Sequence, residues 1–453
     1  MTVLDARLDA LRRLQPLRIT GTVRAVRGLS LVVDDLPLPI GSLVAVSPRV
    51  RASDAAGAIP GEVVGFDGDQ SIVMLLGAGA GLAPGSRVVG EQSAQTVAVS
   101  EGLLGRVIDG LGRPIDGAPP PLDAAPRPLH PAPTSALKRR RITEPLPTGV
   151  RAIDAMLTLG KGQRIGIFSG PGVGKSTLLS IVARNTAADV NVIALVGERG
   201  REVREFIDHA LGPEGLARSV VIVATSDESP LMRVRAAMVA CAVAEHFRDL
   251  GRDVMLMLDS ITRFAQAQRQ IGLAVGEQPA TKGYTPSVFA LLPVLLERAG
   301  AVEGAGSITG LFSVLVEGDD LTEPVSDAAR GVLDGHLILS RRIAARGHYP
   351  ALGLLDSVSR VAEDVCDAHH NEARRELRRL IAAHAEAEEL INIGAYARGS
   401  NPVCDVAIEM KPMYDEFLRQ AVGEKAEYPR TCRRLIELAG AARQKLDRTK
   451  GAR

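Results

Sequence analysis

Tryptophan is absent from this 453-residue sequence, and aromatic residues make up only 3% of it. Proteins that bind single-stranded nucleic acids stack the bases on aromatic side chains, so this scarcity weakens that class of function. The net charge is also small, +1 from 54 basic and 53 acidic residues, so the chain as a whole does not attract nucleic acid or anionic lipid. We therefore expect no nucleic acid among its partners.

Cysteine is scarce as well, and long apolar runs are missing. The four cysteines include no Cys-x-x-Cys pair, so neither a zinc site nor a disulfide framework is indicated. No apolar run is as long as a membrane span, which needs about 18 residues. The charged N-terminus also lacks the apolar centre of a signal peptide. We expect a soluble protein with reduced thiols, located in the cytoplasm.

The first segment of the chain has a helical pattern. Leu4, Leu8, Leu11 and Leu14 recur at helical spacing between charged residues, which predicts an amphipathic helix over residues 1–17. Its leucine stripe either packs on the chain itself or docks a partner protein.

Five further segments follow from changes in the apolar pattern. Short β-branched runs separated by turn residues predict a small β-barrel over residues 18–98. A connector rich in glycine and proline follows over 99–141. Strand-like runs then alternate with helical stretches over 142–360, which predicts an α/β domain with a mostly parallel sheet. A helical domain over 361–443 and a flexible tail over 444–453 complete the expected organisation.

The most informative stretch is IGIFSGPGVGKSTLLS, residues 165–180. It predicts a buried strand, a glycine-rich turn and a helix start, which is the arrangement of a phosphate-binding P-loop. Lys175 would reach the β- and γ-phosphates of a nucleotide, and Ser176 would bind Mg²⁺. Ser169 stands where the strict pattern has glycine, and serine is small enough to fit there. The nucleotide-binding residues predicted here are Gly170, Pro171, Gly172, Val173, Gly174, Lys175, Ser176 and Thr177.

Two later predicted strands end in charged residues that could bind the metal ion and catalyse hydrolysis. The apolar run that ends at Asp259 places a carboxylate where a P-loop enzyme holds a magnesium-bound water. The segment Gly-Glu-Arg-Gly-Arg-Glu follows another apolar run, and Glu198 there could activate the water that attacks the γ-phosphate. Arg199 could neutralise charge at that point. A solvated cluster of salt bridges is the alternative interpretation of this charged segment.

Six segments together resemble one family, the type III export ATPases, which are relatives of the catalytic β subunit of rotary ATP synthases. The resemblance covers the chain from about residue 20 to residue 440. The segments are Gly-Pro-Gly-Val-Gly-Lys-Ser from Gly170, Gly-Glu-Arg-Gly-Arg-Glu from Gly197, Asp-Ser-Ile-Thr-Arg-Phe-Ala from Asp259, Gly-Tyr-Thr-Pro-Ser-Val-Phe from Gly283, Val-Glu-Gly-Asp-Asp from Val316 and Asp-Gly-His from Asp334.

The resemblance implies a RecA-like P-loop core and roles for further residues. Arg263 and Glu202 match family positions around the γ-phosphate, its water or its metal, so the implied metal-binding residues are Ser176, Asp259 and Glu202. Arg360 matches the arginine finger that enters a neighbouring subunit's site, and Tyr349 the aromatic residue that stacks on adenine. For Tyr349 ordinary packing remains the alternative. The implied catalytic residues are Lys175, Glu198, Arg199, Arg263 and Arg360.

The family also implies partners and a location. We expect Mg²⁺ as cofactor with ATP as substrate, and a homo-hexamer that works at the cytoplasmic face of an inner-membrane export apparatus. The expected partners are export-gate proteins, coiled-coil regulator or stalk proteins, and complexes of export chaperones with their substrates. Peripheral membrane association would then occur through the apparatus.

Several functions remain open within and beyond this family. The phrases around residues 224–233 and 306–312 resemble flagellar members more than virulence-injectisome members. Rotary ATPase subunits differ by an acidic segment that is not found in the helical third of this chain. A Rho-like ring helicase would need an RNA-binding face, and a non-catalytic ring subunit would not need Glu198. Gln278 also departs from the family pattern, in a loop away from the phosphates.

Overall fold

The computed structural model describes residues 18–48, 57–92, 95–316, 318 and 320–451. The amphipathic helix predicted over residues 1–17 and the last two residues of the predicted tail lie outside these ranges. Within them, no helix is both long enough and apolar enough to cross a bilayer.

The N-terminal domain is a closed barrel of six antiparallel strands, which confirms the predicted small barrel. Alternate side chains of each strand point inward, so that Leu31 and Val33, for example, are both fully buried in the barrel core. The sixth strand pairs with the first, and this closure leaves no open edge. The strands are Thr20–Arg27, Ser30–Asp34, Leu43–Ser47, Ile59–Asp67, Gln70–Leu75 and Arg87–Gln92.

The central domain contains a nine-stranded, mostly parallel sheet, as predicted. Two short strands run antiparallel to their neighbours: Val358–Ser359 at one edge, and Gly300–Ala301 beside Ser307–Leu315. From one edge to the other the remaining strands follow the order Gly335–Leu339, Arg164–Ser169, Ser307–Leu315, Asp253–Asp259, Val190–Val196, Ser219–Ala224 and Val107–Asp109.

The edge strand Val107–Asp109 comes from the stretch that the composition assigns to the connector. Val107 and Ile108 are both buried, and the strand pairs in parallel with Ser219–Ala224. This part of the connector therefore belongs to the central sheet, where its two apolar side chains are buried. Farther along the connector, the strand Ala125–Pro128 pairs antiparallel with Thr96–Val99, most of which lies in the segment assigned to the barrel.

Helices cover both faces of the central sheet. Along Val190–Val196, Ile193 and Leu195 point into one core cluster whereas Val192 and Ala194 point into the other. Such strands are largely apolar because both of their faces are covered. The helices of this domain are Arg151–Met156, Lys175–Asn185, Gly200–Glu205 with a π-helical continuation over Phe206–Leu211, Gly212–Ala217, Pro230–Asp249, Ile261–Ala274, Pro286–Leu296, Pro324–Val332 and Arg341–Ala345.

The C-terminal region is helical, as predicted, and it packs against the same core cluster as the P-loop helix Lys175–Asn185. The last helix continues to Gly451, within the segment expected to be a flexible tail, and Leu446 in that segment is buried in the core cluster. The helices are Ala362–Val365, Ala368–Asn392, Pro402–Leu418 and Tyr428–Gly451.

Candidate functional site

A phosphate-binding loop joins the strand Arg164–Ser169 to the helix Lys175–Asn185. Gly172 and Gly174 have φ angles of 77° and 96°, a left-handed conformation that side chains rarely adopt. The loop therefore turns tightly, and its helix presents free backbone N–H groups to an anion. Val173 is buried, whereas Pro171, Ser176 and Thr177 are exposed.

Lys175 stands between two carboxylates that end neighbouring strands. Its ammonium forms an ion pair with Asp259 and lies 3.7 Å from the Glu198 carboxylate. Asp259 also accepts a hydrogen bond from the buried Ser313 hydroxyl. The strands Arg164–Ser169, Ser307–Leu315, Asp253–Asp259 and Val190–Val196 are neighbours in the sheet, so their carboxyl ends bring all four side chains to one place.

The carboxyl group of Glu198 is the most perturbed acid of this cluster. Burial raises its pKa to about 7, the nearby Asp259 charge adds to this rise, and Lys175 opposes it. A carboxylate whose pKa lies near neutrality can take a proton from water and release it again at physiological pH. Glu198 is therefore suited to act as a general base.

Glu202 and Arg199 lie on the outer side of this cluster. Their side chains form an ion pair at 3.6 Å and are 40% and 69% exposed. Glu202 lines a cavity of about 500 Å³ together with Ser176, Glu198 and Asp259, whereas Arg199 is not part of its lining. The structure thus brings Glu202 to the phosphate side of the site but leaves Arg199 directed to solvent.

The oxygen atoms in this cavity suit a magnesium ion. Mg²⁺ prefers oxygen ligands and keeps several waters, usually with one or two carboxylates and the substrate phosphates. The hydroxyl of Ser176 and the carboxylates of Asp259 and Glu202 provide such ligands around one cavity. Among the described residues no group of three or more carboxylate, histidine or cysteine side chains is placed to hold a metal ion by itself, so phosphate and water would supply the other ligands.

Arg263 lies directly against the segment that carries Glu198. A Cβ atom added to Gly197 would be 2.9 Å from the Cβ of Arg263, so only glycine allows this close packing. The Arg263 Nε is buried and has no hydrogen-bond partner in the described part of the chain, while one Nη atom lies 3.4 Å from the Gln266 side chain. Because a buried guanidinium needs acceptors, this unmet donor suits a phosphate oxygen.

A second cavity of about 680 Å³ adjoins the opposite side of the P-loop. Tyr349 forms one wall, and its ring carbons lie 3.7 Å from the position that a Cβ would take on Gly174. The ring is 47% exposed, so its face is open to the cavity. The walls are largely apolar, which suits a nucleobase. They include Gly172, Thr177, Leu178, Ile181, Leu339, Pro350 and the segment 419–422.

Sequence reasoning missed that last segment, which closes the cavity from the C-terminal region. The Gln420 backbone N–H donates to the Tyr349 carbonyl oxygen at 2.9 Å, and the Gln420 side chain bonds to Gly149 and Arg151. These bonds hold the segment against the central domain. No local sequence motif predicts these hydrogen bonds, because their partners are far apart in the sequence.

Arg341 is a second residue that the sequence analysis did not single out. A Cβ on Gly170 would lie 2.5 Å from the Arg341 Nη2 atom, so the guanidinium rests directly on the first residue of the P-loop turn. Only glycine can accommodate this contact without displacement. Arg341 therefore helps to fix the start of the turn.

Arg360 is not brought to the site of its own chain. It follows the edge strand Val358–Ser359, and its backbone N–H donates to the Asp334 carbonyl oxygen. The Asp334 carboxylate in turn bonds Arg164, the first residue of the P-loop strand. Arg360 thus lies level with the amino end of that strand, whereas the P-loop follows its carboxyl end. Its side chain is exposed, and within the described ranges it makes no hydrogen bond or ion pair.

The fold and these side chains define a P-loop nucleotide-hydrolysing domain with a barrel before it and helices after it. The sequence matches the ATP synthase alpha/beta family, nucleotide-binding domain, over residues 149–359. It matches the T3SS EscN ATPase C-terminal domain over residues 366–437.

Relatives match almost the whole chain. The Flagellum-specific ATP synthase of Treponema pallidum is 49% identical, with 95% of each chain covered. That of Bacillus subtilis is 47% identical over 96% of this chain and 98% of the relative. The Type 3 secretion system ATPase of Xanthomonas euvesicatoria is 47% identical over 93% of this chain and 94% of the relative.

A solved structure has the same architecture. It is the assembled ATPase EscN from the type III secretion system of enteropathogenic E. coli, with a TM-score of 0.86 and 39% identity over 92% of this chain and 100% of that one. The chain therefore belongs to the ATP synthase alpha/beta family, and within it to the ATPases of flagellar and type III secretion systems.

Proposed function

We propose that this protein hydrolyses ATP with Mg²⁺ and thereby energises type III protein export, most specifically the export of flagellar components. The observation that carries the hydrolytic part is the convergence of Lys175, Glu198 and Asp259 at the carboxyl ends of neighbouring strands. A site for binding alone would not need a buried carboxyl group of near-neutral pKa beside the phosphate-binding lysine.

In the proposed reaction, Lys175 and the loop N–H groups hold the β- and γ-phosphates. Glu198 orients a water molecule and accepts its proton as the water oxygen attacks the γ-phosphorus. The bond from the γ-phosphorus to the β,γ-bridging oxygen breaks and ADP leaves, while Arg263 offers its unmet donor to the developing charge. Mg²⁺ held by Ser176, Asp259 and Glu202 would neutralise charge on the phosphate oxygens. The side chain of Arg199 points to solvent in the single chain. A role for Arg199 in neutralising phosphate charge therefore requires an adjoining subunit that covers it.

The site would be complete only between subunits. Arg360 is exposed at the opposite end of the P-loop strand from the P-loop of its own chain, so its proposed role as an arginine finger requires a neighbouring chain. We propose a homo-hexameric ring on this basis and on the family's pattern. EscN has been solved in assembled form and in complex with its central stalk EscO, which supports a ring with a stalk partner for this chain.

The export role rests on the relatives. Relatives named Flagellum-specific ATP synthase come from several bacteria, among them Salmonella typhimurium, whose protein is 45% identical to this chain. We therefore place the protein at the cytoplasmic face of a flagellar export gate, where export chaperones with their substrates would meet it. The second candidate is a virulence injectisome, favoured by secretion ATPases of up to 47% identity.

Deletion in the native host separates these candidates. The flagellar proposal predicts loss of swimming and of filament growth with effector secretion intact. Loss of effector secretion with normal motility would contradict it and support the injectisome. A complementing Glu198→Gln copy, expressed at the wild-type level, tests whether export depends on hydrolysis or only on the presence of the ring.

A further inference from the structure

Two of the four cysteines meet at one histidine, away from the ATP site. Cys366 lies just before the helix Ala368–Asn392, Cys432 lies in the helix Tyr428–Gly451, and His370 is in the first turn of the former helix. The Cys432 Sγ is 3.5 Å from His370 Nδ1, and the Cys366 thiol hydrogen-bonds to the same imidazole. The cluster lies where the central domain joins the C-terminal helices.

A backbone carbonyl oxygen determines which ring nitrogen of His370 carries a hydrogen. His370 Nε2 lies 2.9 Å from the backbone carbonyl oxygen of Ala155, and a carbonyl oxygen can only accept a hydrogen bond. Nε2 therefore carries a hydrogen, and Nδ1 is left to take a proton from a thiol. Because His370 is only 2% exposed, water does not compete for this nitrogen. The imidazole thus serves as a base for the two thiols.

The electrostatics of the cluster favour a thiolate. Burial alone would raise the pKa of the Cys366 thiol, but its hydrogen bonds to His370 and Thr158 outweigh burial and lower it below the ordinary value. Burial would likewise lower the pKa of His370, but its bonds to Cys366 and Cys432 raise it to about 10. The thiolate is the reactive form of cysteine, so this pairing marks a reactive site.

The two thiols are also neighbours of each other and within reach of solvent. Besides His370 they share Tyr428 as a hydrogen-bond partner, and its ring centroid is 6.2 Å from that of the imidazole. Cys366 and Cys432 are both partly exposed, whereas Cys241 and Cys404 are buried. Other groups facing the cluster are the Arg374 guanidinium, which adds positive charge near Cys366, and the buried Asp154 near His370.

We propose that Cys366 and Cys432 form a peroxide-sensitive dithiol that His370 positions and activates. The Cys366 thiolate attacks hydrogen peroxide, so that an S–O bond forms, the O–O bond breaks and hydroxide leaves. Cys432, after giving its proton to that hydroxide, attacks the resulting sulfenic acid sulfur. The S–S bond then forms, the S–O bond breaks, and the second hydroxide takes the proton held by His370. Two thiols and one peroxide thus give one disulfide and two waters.

This disulfide would connect the segment that follows the nucleotide-binding domain with the last helix. Cys366 follows shortly after Arg360 and the edge strand Val358–Ser359, while Cys432 belongs to the last helix. Oxidation would tie the segment that leads out of the nucleotide-binding domain to the C-terminal helices. The chemical proposal itself does not depend on ATP hydrolysis or on the export role.

The test is oxidation of the purified full-length protein by hydrogen peroxide, followed by peptide mapping without reductant. We expect a peptide pair linked through Cys366 and Cys432, formed before Cys241 reacts and reversed by dithiothreitol. Cys366→Ser should abolish the linked pair, and the matched control Cys241→Ser should leave it unchanged. The absence of this linked pair at peroxide levels that already modify Cys241 would overturn the proposal.

A second measurement examines the role of His370. We expect His370→Asn to slow disulfide formation about tenfold or more, because the thiol loses its base. Since this variant could lose stability, alkylation of the wild type by iodoacetamide across pH provides an independent readout. Cys366 should react at a pH below that of an ordinary thiol, with ordinary cysteine titration as the contradicting result.

Discussion

The Glu198 carboxylate lies 3.7 Å from the Lys175 ammonium, and the same ammonium forms an ion pair with Asp259. One positive charge therefore faces two negative charges in a partly buried place. A bound γ-phosphate must share the positive charge of Lys175 with both carboxylates. The site therefore needs further cations to balance the charge of the phosphate. The arrangement leads directly to predictions about Glu198.

Glu198→Gln should still bind ATP but hydrolyse it at least about 100-fold more slowly, because the amide cannot accept a proton from water. The amide has almost the same shape, so ring assembly should not change. Steady-state ATPase assays and binding of a fluorescent ATP analogue separate the two effects. Substantial turnover in this variant would remove Glu198 from its proposed role as the base.

The pH profile gives a second check on the same residue. Burial raises the pKa of Glu198 to about 7, and the base works only when it is deprotonated. We therefore expect kcat/KM to fall as the pH drops through about 7, well above the pKa of an ordinary glutamate. The residual activity of Glu198→Gln should lack this inflection, and an inflection that persists there would have to come from another group.

Much of this site could be predicted from the sequence, because its parts are local. The P-loop carries its own turn glycines and helix start, and Asp259 follows a strand that is apolar throughout. The walls of the second cavity are different: Gln420 reaches Tyr349 and Gly149 through bonds between distant segments, which no spacing in the sequence encodes.

Other parts of the fold also include local features that the sequence predicts and contacts between distant segments that it does not. The parallel sheet follows from strand-helix alternation, but the addition of Val107–Asp109 to its edge depends on a partner strand far along the chain. The scattered cysteines indicated no site because Cys366 and Cys432 have no motif spacing. Cys366 lies just before the helix that carries His370, and packing of the last helix against Ala368–Asn392 brings Cys432 to the same imidazole.

Tyr349 should matter for binding of the nucleobase. Its exposed ring faces a largely apolar cavity beside Gly174, and stacking of a base on an aromatic ring contributes about 1 to 3 kcal/mol. Tyr349→Ala should therefore raise the KM for ATP about tenfold with little change in kcat, as expected for loss of uniform binding. Tyr349→Phe is the matched control and should behave like the wild type. Equal effects of the two substitutions would point to the hydroxyl group instead of the ring.

Arg298 is predicted to hold the connector to the central domain. Its guanidinium forms a two-pronged pair with Glu245, at 2.7 and 2.8 Å, and donates to the Leu129 carbonyl oxygen. Both charged side chains are more than nine-tenths buried. Arg298→Met leaves Glu245 buried without its partner, which should lower the free energy of unfolding by about 3 to 5 kcal/mol.

Thermal and urea unfolding of that variant measure the loss. The control is the double variant Arg298→Met with Glu245→Met, which removes both charges and should recover most of the stability. A single variant as stable as the wild type would contradict a structural role for the pair.

Arg360 provides the most direct test of a shared site, because it lies at the amino end of the P-loop strand whereas its own P-loop follows the carboxyl end. Arg360→Ala should assemble but lose activity about 1000-fold, the effect typical of a missing arginine finger. Lys175→Ala should be inactive for a different reason, since it lacks the phosphate-binding ammonium. When the two variants are mixed, some interfaces combine an intact P-loop from the first with an intact arginine from the second.

Activity should therefore reappear on mixing and depend on the ratio of the two proteins. The matched control mixes Arg360→Ala with a chain that carries both substitutions; no interface in that ring combines an intact P-loop with an intact arginine, so no activity should return. Absence of rescue at every ratio of the single variants, with mixed rings demonstrated by differential labelling, would count against a shared site. Rescue in the control as well would show that the recovered activity does not depend on Arg360, because no chain in that ring carries the arginine.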